Sequence, residues 1–227
     1  MHSESKSREF RWYALKLAGI CAVVFALSRA FPGFFYSNLA LTAEGFPAKP
    51  WTLLTHVFMH GGFLHLFSNM FALSVFGSIL EKHTGSRRFL LLFFLASAVS
   101  SLTGMFFYKS VIGASGVIFT LLGCLAVLKP KTIVWVLGVP MYIMVAVFLW
   151  MLLDVAGIFY PDNVAHLSHI FGLVFGLSCG LWMRKNTPPE RRENRREEVI
   201  SEKELEEWEE RYMLPRSLIK PVREERV

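Results

Sequence analysis

Charge is what this sequence has least of. Of its 227 residues only 19% are charged and 53% are hydrophobic, a balance too apolar for an ordinary soluble domain of this length. Cysteine is scarce too. Cys21, Cys124 and Cys179 each sit within a different apolar run, which argues against a disulfide framework or a cysteine-built metal cluster and leaves them as small packing residues. The start, Met1 to Arg11, is polar and basic, and the apolar run behind it reaches Leu27 without an A-x-A-like cleavage site, so a cleavable leader is not expected. The formal charge of +6 is no nucleic-acid footprint. From Arg184 onward 12 basic residues balance 12 acidic ones, so the whole excess lies at loop ends of the apolar part, where it is a topology signal. No internal repeat is evident.

What the chain has in abundance is apolar length. Six runs approach the roughly 20 residues that a helix needs to cross a bilayer: Trp12–Leu27, Gly62–Leu80, Phe89–Tyr108, Gly113–Leu128, Pro140–Phe159 and Val164–Met183. Between the first two lies a long segment, residues 28–61, rich in proline, glycine and aromatics, expected as a folded and partly embedded loop. Thr132–Val139 is expected as a short interfacial segment leading into the fifth span. Basic residues set the orientation. Lys6, Arg8, Arg11, Lys82, Arg87, Arg88, Lys129, Lys131, Arg184 and Lys185 fall on one side, and only Arg29, Lys49 and Lys109 on the other. Ten against three puts both termini in the cytoplasm. Residues 1–11 are then a cytoplasmic segment, 12–183 an all-α membrane domain of six helices, and 184–227 a charged cytoplasmic tail. In that tail Ser201-x-x-Glu204, followed by Leu205, Trp208 and Tyr212, predicts a short amphipathic helix.

Polar side chains inside hydrocarbon are costly and point to function. His65 and Asn69 lie near the outer end of span two, Ser115 in the first turn of span four, and His169 five residues into span six. At about 1.5 Å per residue all four reach similar depths, roughly 5 to 12 Å beneath one surface. Ser115, flanked by Gly113, Ala114 and Gly116, sits where a helix start offers free N–H groups. A serine hydroxyl needs a neighbouring base, and His169 is the best placed. His65 and Asn69, four apart on one helical face, both aim donors at a developing oxyanion. No Asp or Glu is read at that depth, because Asp154 and Asp162 stand near the ends of their elements, so a dyad is expected. Gly172 and Gly176 form a face that packs span six on span four. His56 and His60 are read as holding the first loop, and His166 stays ambiguous.

The strings Gly113-Ala114-Ser115-Gly116, His60-x4-His65-x3-Asn69 and Ala165-His166-Leu167-Ser168-His169-Ile170-Phe171-Gly172, with Gly176 and Gly77-x3-Glu81-Lys82, resemble the rhomboid family of intramembrane serine proteases. The resemblance runs over residues 50–183. It implies nucleophile Ser115 and base His169, oxyanion contacts from His65, Asn69 and the Ser115 backbone, and Glu81 as a structural bond-maker. It also implies a six-helix core, no cofactor and no metal, and cleavage of single-span membrane proteins near the top of their transmembrane segment. The expected partners are such substrates and the lipid bilayer, with no nucleic acid. The expected location is the cell membrane if the source is prokaryotic. Two departures stand out: Trp51-Thr52 where many relatives have Trp-Arg, and Phe119 where a tyrosine often stacks on the base. Two other readings remain open at this point, and a third, a transporter, lacks both of its sequence signatures. One is a rhomboid-like protein without catalysis that binds transmembrane clients. Another is a metal site of His56-x3-His60 with His166-x2-His169, which lacks a carboxylate or thiolate to balance a divalent charge. A transporter would more naturally show ionisable groups at mid-membrane or paired repeats.

Overall fold

The computed structural model describes residues 10–136, 138–160, 162 and 164–186. The amphipathic helix expected in the tail lies outside the described residues. The compact unit ends at Arg184.

Four helices are long and apolar enough to cross a membrane: Tyr13–Ala30 (α1), Phe63–Thr84, Ser86–Phe107 (α6) and His166–Lys185 (α9). The second comprises Phe63–Ala72 (α4), a wider π-helical turn at Leu73–Gly77, and Ser78–Thr84 (α5). Two shorter apolar helices, Ser115–Leu128 (α7) and Ile143–Gly157 (α8), complete the bundle.

Outward faces are as apolar as the interior. Leu64, Phe106 and Leu153 are 77%, 82% and 66% exposed, a surface that water would penalise and lipid accommodates. The chain is an integral membrane protein. Ten of the 14 residues of α7 are buried, against four of 15 in α8, so α7 is the inner helix and α8 lies at the periphery. Fully buried Leu73, Leu80, Phe89, Phe93, Leu121 and Leu125 fill the space between.

Glycine lets α7 and α9 touch backbone to backbone. A Cβ at Gly172 would lie 2.4 Å from Gly116 O, and one at Gly176 2.1 Å from Thr120 O, so neither position has room for a methyl group. The Thr120 hydroxyl donates across the seam to Gly172 O at 2.9 Å. At the other end of the bundle the fully buried Glu81 carboxylate accepts the N–H groups of Tyr13 and Ala14, each at 3.0 Å, and the Ser86 hydroxyl. A carboxylate thereby caps the positive end of α1 from a distant helix.

The segment after α1 is folded. It holds Pro32–Leu39 (α2), Leu41–Thr42 (β1), Thr52–Thr55 (α3) and a 3-10 turn at His56–Phe58. β1 pairs antiparallel with Ser110–Val111 (β2), the segment that leads to Ser115. A second ladder corrects the expected start of the fifth span. Ile133–Val136 (β3) pairs antiparallel with Val139–Tyr142 (β4), with Gly138 at φ +82° in the turn. Pro140 is therefore a strand residue facing Trp135, and the helix begins at Ile143. Hydropathy alone does not separate a β-branched apolar hairpin from the first turns of an apolar helix.

Candidate active site

The site is assembled where α7 and α9 begin, α8 ends and α4 passes. Ser115 is the first residue of α7. The turn before it needs glycine: Gly113 has φ +111°, and a Cβ there would lie 2.7 Å from His65 Nε2. The Gly113 N–H donates to His56 O at 3.0 Å, which ties the turn to the first loop. The result is a half-buried hydroxyl beside the unpaired N–H groups of a helix start.

His169 is the fourth residue of α9, is 7% exposed, and sets Nε2 2.7 Å from Ser115 Oγ. Phe119, one turn into α7, stacks on the imidazole with ring centres 4.5 Å apart and planes 6° from parallel. The departure from tyrosine at this position thus keeps the stacking.

The other face of the imidazole corrects the sequence reading. His169 Nδ1 lies 2.8 Å from Oδ1 of Asp154, a carboxylate buried near the end of α8. His166 Nδ1 approaches the same oxygen at 2.7 Å, and His166 Nε2 lies 3.1 Å from Asp162 Oδ2. The exposed Asp162 accepts the Val164 N–H at 2.9 Å, which with the His166 contact holds its carboxyl below the ordinary range. Asp154 stands near a helix end. So does His169, on the helix that follows. Antiparallel neighbours joined by a short loop bring such residues to one depth, and that signal was present in the sequence.

His65, on α4, is half-buried against Gly113, with its ring edge-on to His60 at 5.0 Å. Asn69 is buried one turn further, where its amide donates to His65 O at 2.7 Å and keeps a second N–H. His56 and His60 are not brought to His166 and His169 in a ligand set. The buried His56 ring contacts Thr52 O at 3.1 Å and Ser101 Oγ at 3.2 Å, and packs the first loop on α6. His60 is buried against His65.

Among the described residues, Asp154, His166 and His169 are the group whose ligand atoms lie within 4.8 Å of one another. Their geometry is that of hydrogen bonds. Ligands about 2.05 Å from a tetrahedral zinc stand about 3.3 Å apart, whereas both imidazoles here approach one carboxylate oxygen at 2.7 and 2.8 Å. His169 Nε2 is already turned to Ser115.

A hydroxyl held against an imidazole, within a bundle whose outer faces suit lipid, places the protein among integral membrane proteins with a candidate hydrolase centre. The family model of the Rhomboid domain matches residues 47–186, and the chain belongs to the rhomboid family. It is 28% identical over 151 residues to the rhomboid protease GlpG of Pectobacterium atrosepticum, covering 63% of this chain and 52% of that protein. To the rhomboid protease GluP of Bacillus subtilis it is 34% identical over 142 residues, 60% of this chain and 26% of that protein. To RHOMBOID-like protein 6, mitochondrial, of Arabidopsis thaliana it is 31% identical over 134 residues, 58% of this chain and 43% of that protein. The matched region spans about half of these curated relatives or less.

Proposed function

We propose that this protein is an intramembrane serine endopeptidase that hydrolyses peptide bonds in or near the transmembrane segments of membrane-protein substrates. The observation that carries the reading is the 2.7 Å approach of Ser115 Oγ to His169 Nε2 at the glycine-flanked start of α7. Two relatives that bear the name rhomboid protease support it.

Ser115 Oγ attacks the scissile carbonyl while its proton passes to His169 Nε2. The tetrahedral oxyanion forms near the start of α7, where the Ser115 N–H, the Asn69 side-chain N–H and His65 supply donors. The imidazolium then gives its proton to the leaving amine, and a water repeats the sequence to free the acyl-enzyme. Phe119 fixes the plane of the imidazole throughout. Six spans with both termini in the cytoplasm would place this chemistry near the outer membrane face.

The test is cleavage of a tagged model transmembrane substrate by the purified full chain in detergent, with fluorophosphonate labelling alongside. Wild-type protein that neither cleaves nor labels would leave a membrane-client binding role as the better reading.

A further inference from the structure

We propose that Asp154 is the positioning residue of a Ser115–His169–Asp154 triad, holding His169 in the tautomer that can accept the serine proton. The proposal rests on the protease reading above and adds a carboxylate to what the sequence presents as a dyad.

The argument begins with hydrogen-bond inventory. A neutral imidazole has one N–H and one acceptor nitrogen, and only the acceptor can take a proton from serine. An ionised carboxylate only accepts, so Asp154 Oδ1, 2.8 Å from His169 Nδ1, requires that nitrogen to carry the hydrogen. Nε2 is then the acceptor, and it is the nitrogen that faces Ser115 Oγ at 2.7 Å. Burial sharpens the effect. His169 is 7% and Asp154 5% exposed, so water competes weakly for either group.

His166 completes the arrangement. Its Nδ1 faces Asp154 and its Nε2 faces Asp162. Both ring nitrogens of His166 are thus engaged by carboxylate oxygens. Its Nδ1, 2.7 Å from Asp154 Oδ1, braces that carboxylate beside the His169 ring. When Ser115 Oγ bonds to the substrate carbonyl carbon, its proton moves to His169 Nε2 and stays on the imidazole until it passes to the leaving amine. Asp154 stabilises the imidazolium without taking the proton.

Kinetics and spectroscopy together separate this role from simple packing of α8 on α9. Asp154→Asn preserves shape and removes charge. In the trypsin-type triad the same exchange lowers kcat about 10⁴-fold, and here a loss on the order of 10²–10⁴-fold is expected, with KM unchanged. Independently of turnover, wild-type protein labelled with ¹⁵N-histidine should show a hydrogen-bonded Nδ1 proton on His169. That proton should survive in Ser115→Ala. Asp154→Asn with wild-type kcat overturns the proposal while the protease reading stands. Wild-type spectra with the neutral His169 proton on Nε2 overturn it too, and they serve even where the variant fails to fold or the chosen substrate is not cut.

Discussion

At Ser115 and His169 a proton has one short path, 2.7 Å from Oγ to Nε2. Removing either end removes the path. Ser115→Ala and His169→Ala should each abolish cleavage without changing detergent unfolding temperature by more than a few degrees. In subtilisin, loss of the serine or the histidine costs on the order of 10⁶ in kcat. Asn69 differs because in the proposed mechanism it touches only the developing charge. Loss of one oxyanion donor costs about 10²–10³ in kcat, so Asn69→Ala should keep a measurable rate with KM unchanged. A raised KM with intact kcat would make Asn69 a residue that holds substrate in its ground state. Phe119 should tolerate tyrosine, which retains the stacked ring, and should lose activity as alanine, which frees the imidazole to rotate.

Between elements, the seam between α7 and α9 decides whether the two reacting groups meet. With Thr120 O only 2.1 Å from a Cβ built at Gly176, Gly176→Ala must push the helices apart. Overpacking of this kind typically costs about 1–3 kcal/mol. The expected outcome is a lowered unfolding temperature together with a fall in kcat, measured on the same preparation. Gly157 offers a gentler version. A Cβ there would lie 2.2 Å from His166 Cε1, so Gly157→Ala should displace that ring and lower kcat while the α7–α9 seam stays intact. Ordinary activity in Gly157→Ala would mean that the ring of His166 is not needed where it stands.

For the whole molecule, two further outcomes follow. Excess EDTA or phenanthroline should leave the rate unchanged, because His166 and His169 are engaged by hydrogen bonds to Asp154, Asp162 and Ser115. A loss restored by zinc would reassign Asp154, His166 and His169 as ligands. Reporters fused to the two ends should both read cytoplasmic, and opposite sidedness would mean a miscounted span. At this scale the sequence was legible wherever hydropathy or depth speaks. The six apolar helices, Ser115 with His169, and the glycine face of α9 are all carried by local composition and spacing. The β3–β4 hairpin was hidden because its residues are as apolar as a helix. The Asp154 contact had only an indirect signal, the short connection that makes the end of α8 meet the start of α9. The cap that Glu81 places on α1 joins residues 67 and 68 apart in the chain, and rested on resemblance rather than on any local signal.

The shortness of α8 carries one more consequence. Its 15 residues are mostly turned outward and rise about 23 Å, against a hydrocarbon core of about 30 Å. With α8 as a full span, lipid beside that flank would thin to meet it, and the elastic penalty would grow with acyl-chain length. Asp154 rides on this helix, so stretching the membrane there bears directly on the carboxylate next to the base. Reconstituted into vesicles of increasing chain length, from C14 to C22 phosphatidylcholine, the protein should show slower proposed cleavage in the thicker bilayers. Its host membrane would then act as a mechanical regulator, with bilayer thickness as the variable that sets turnover.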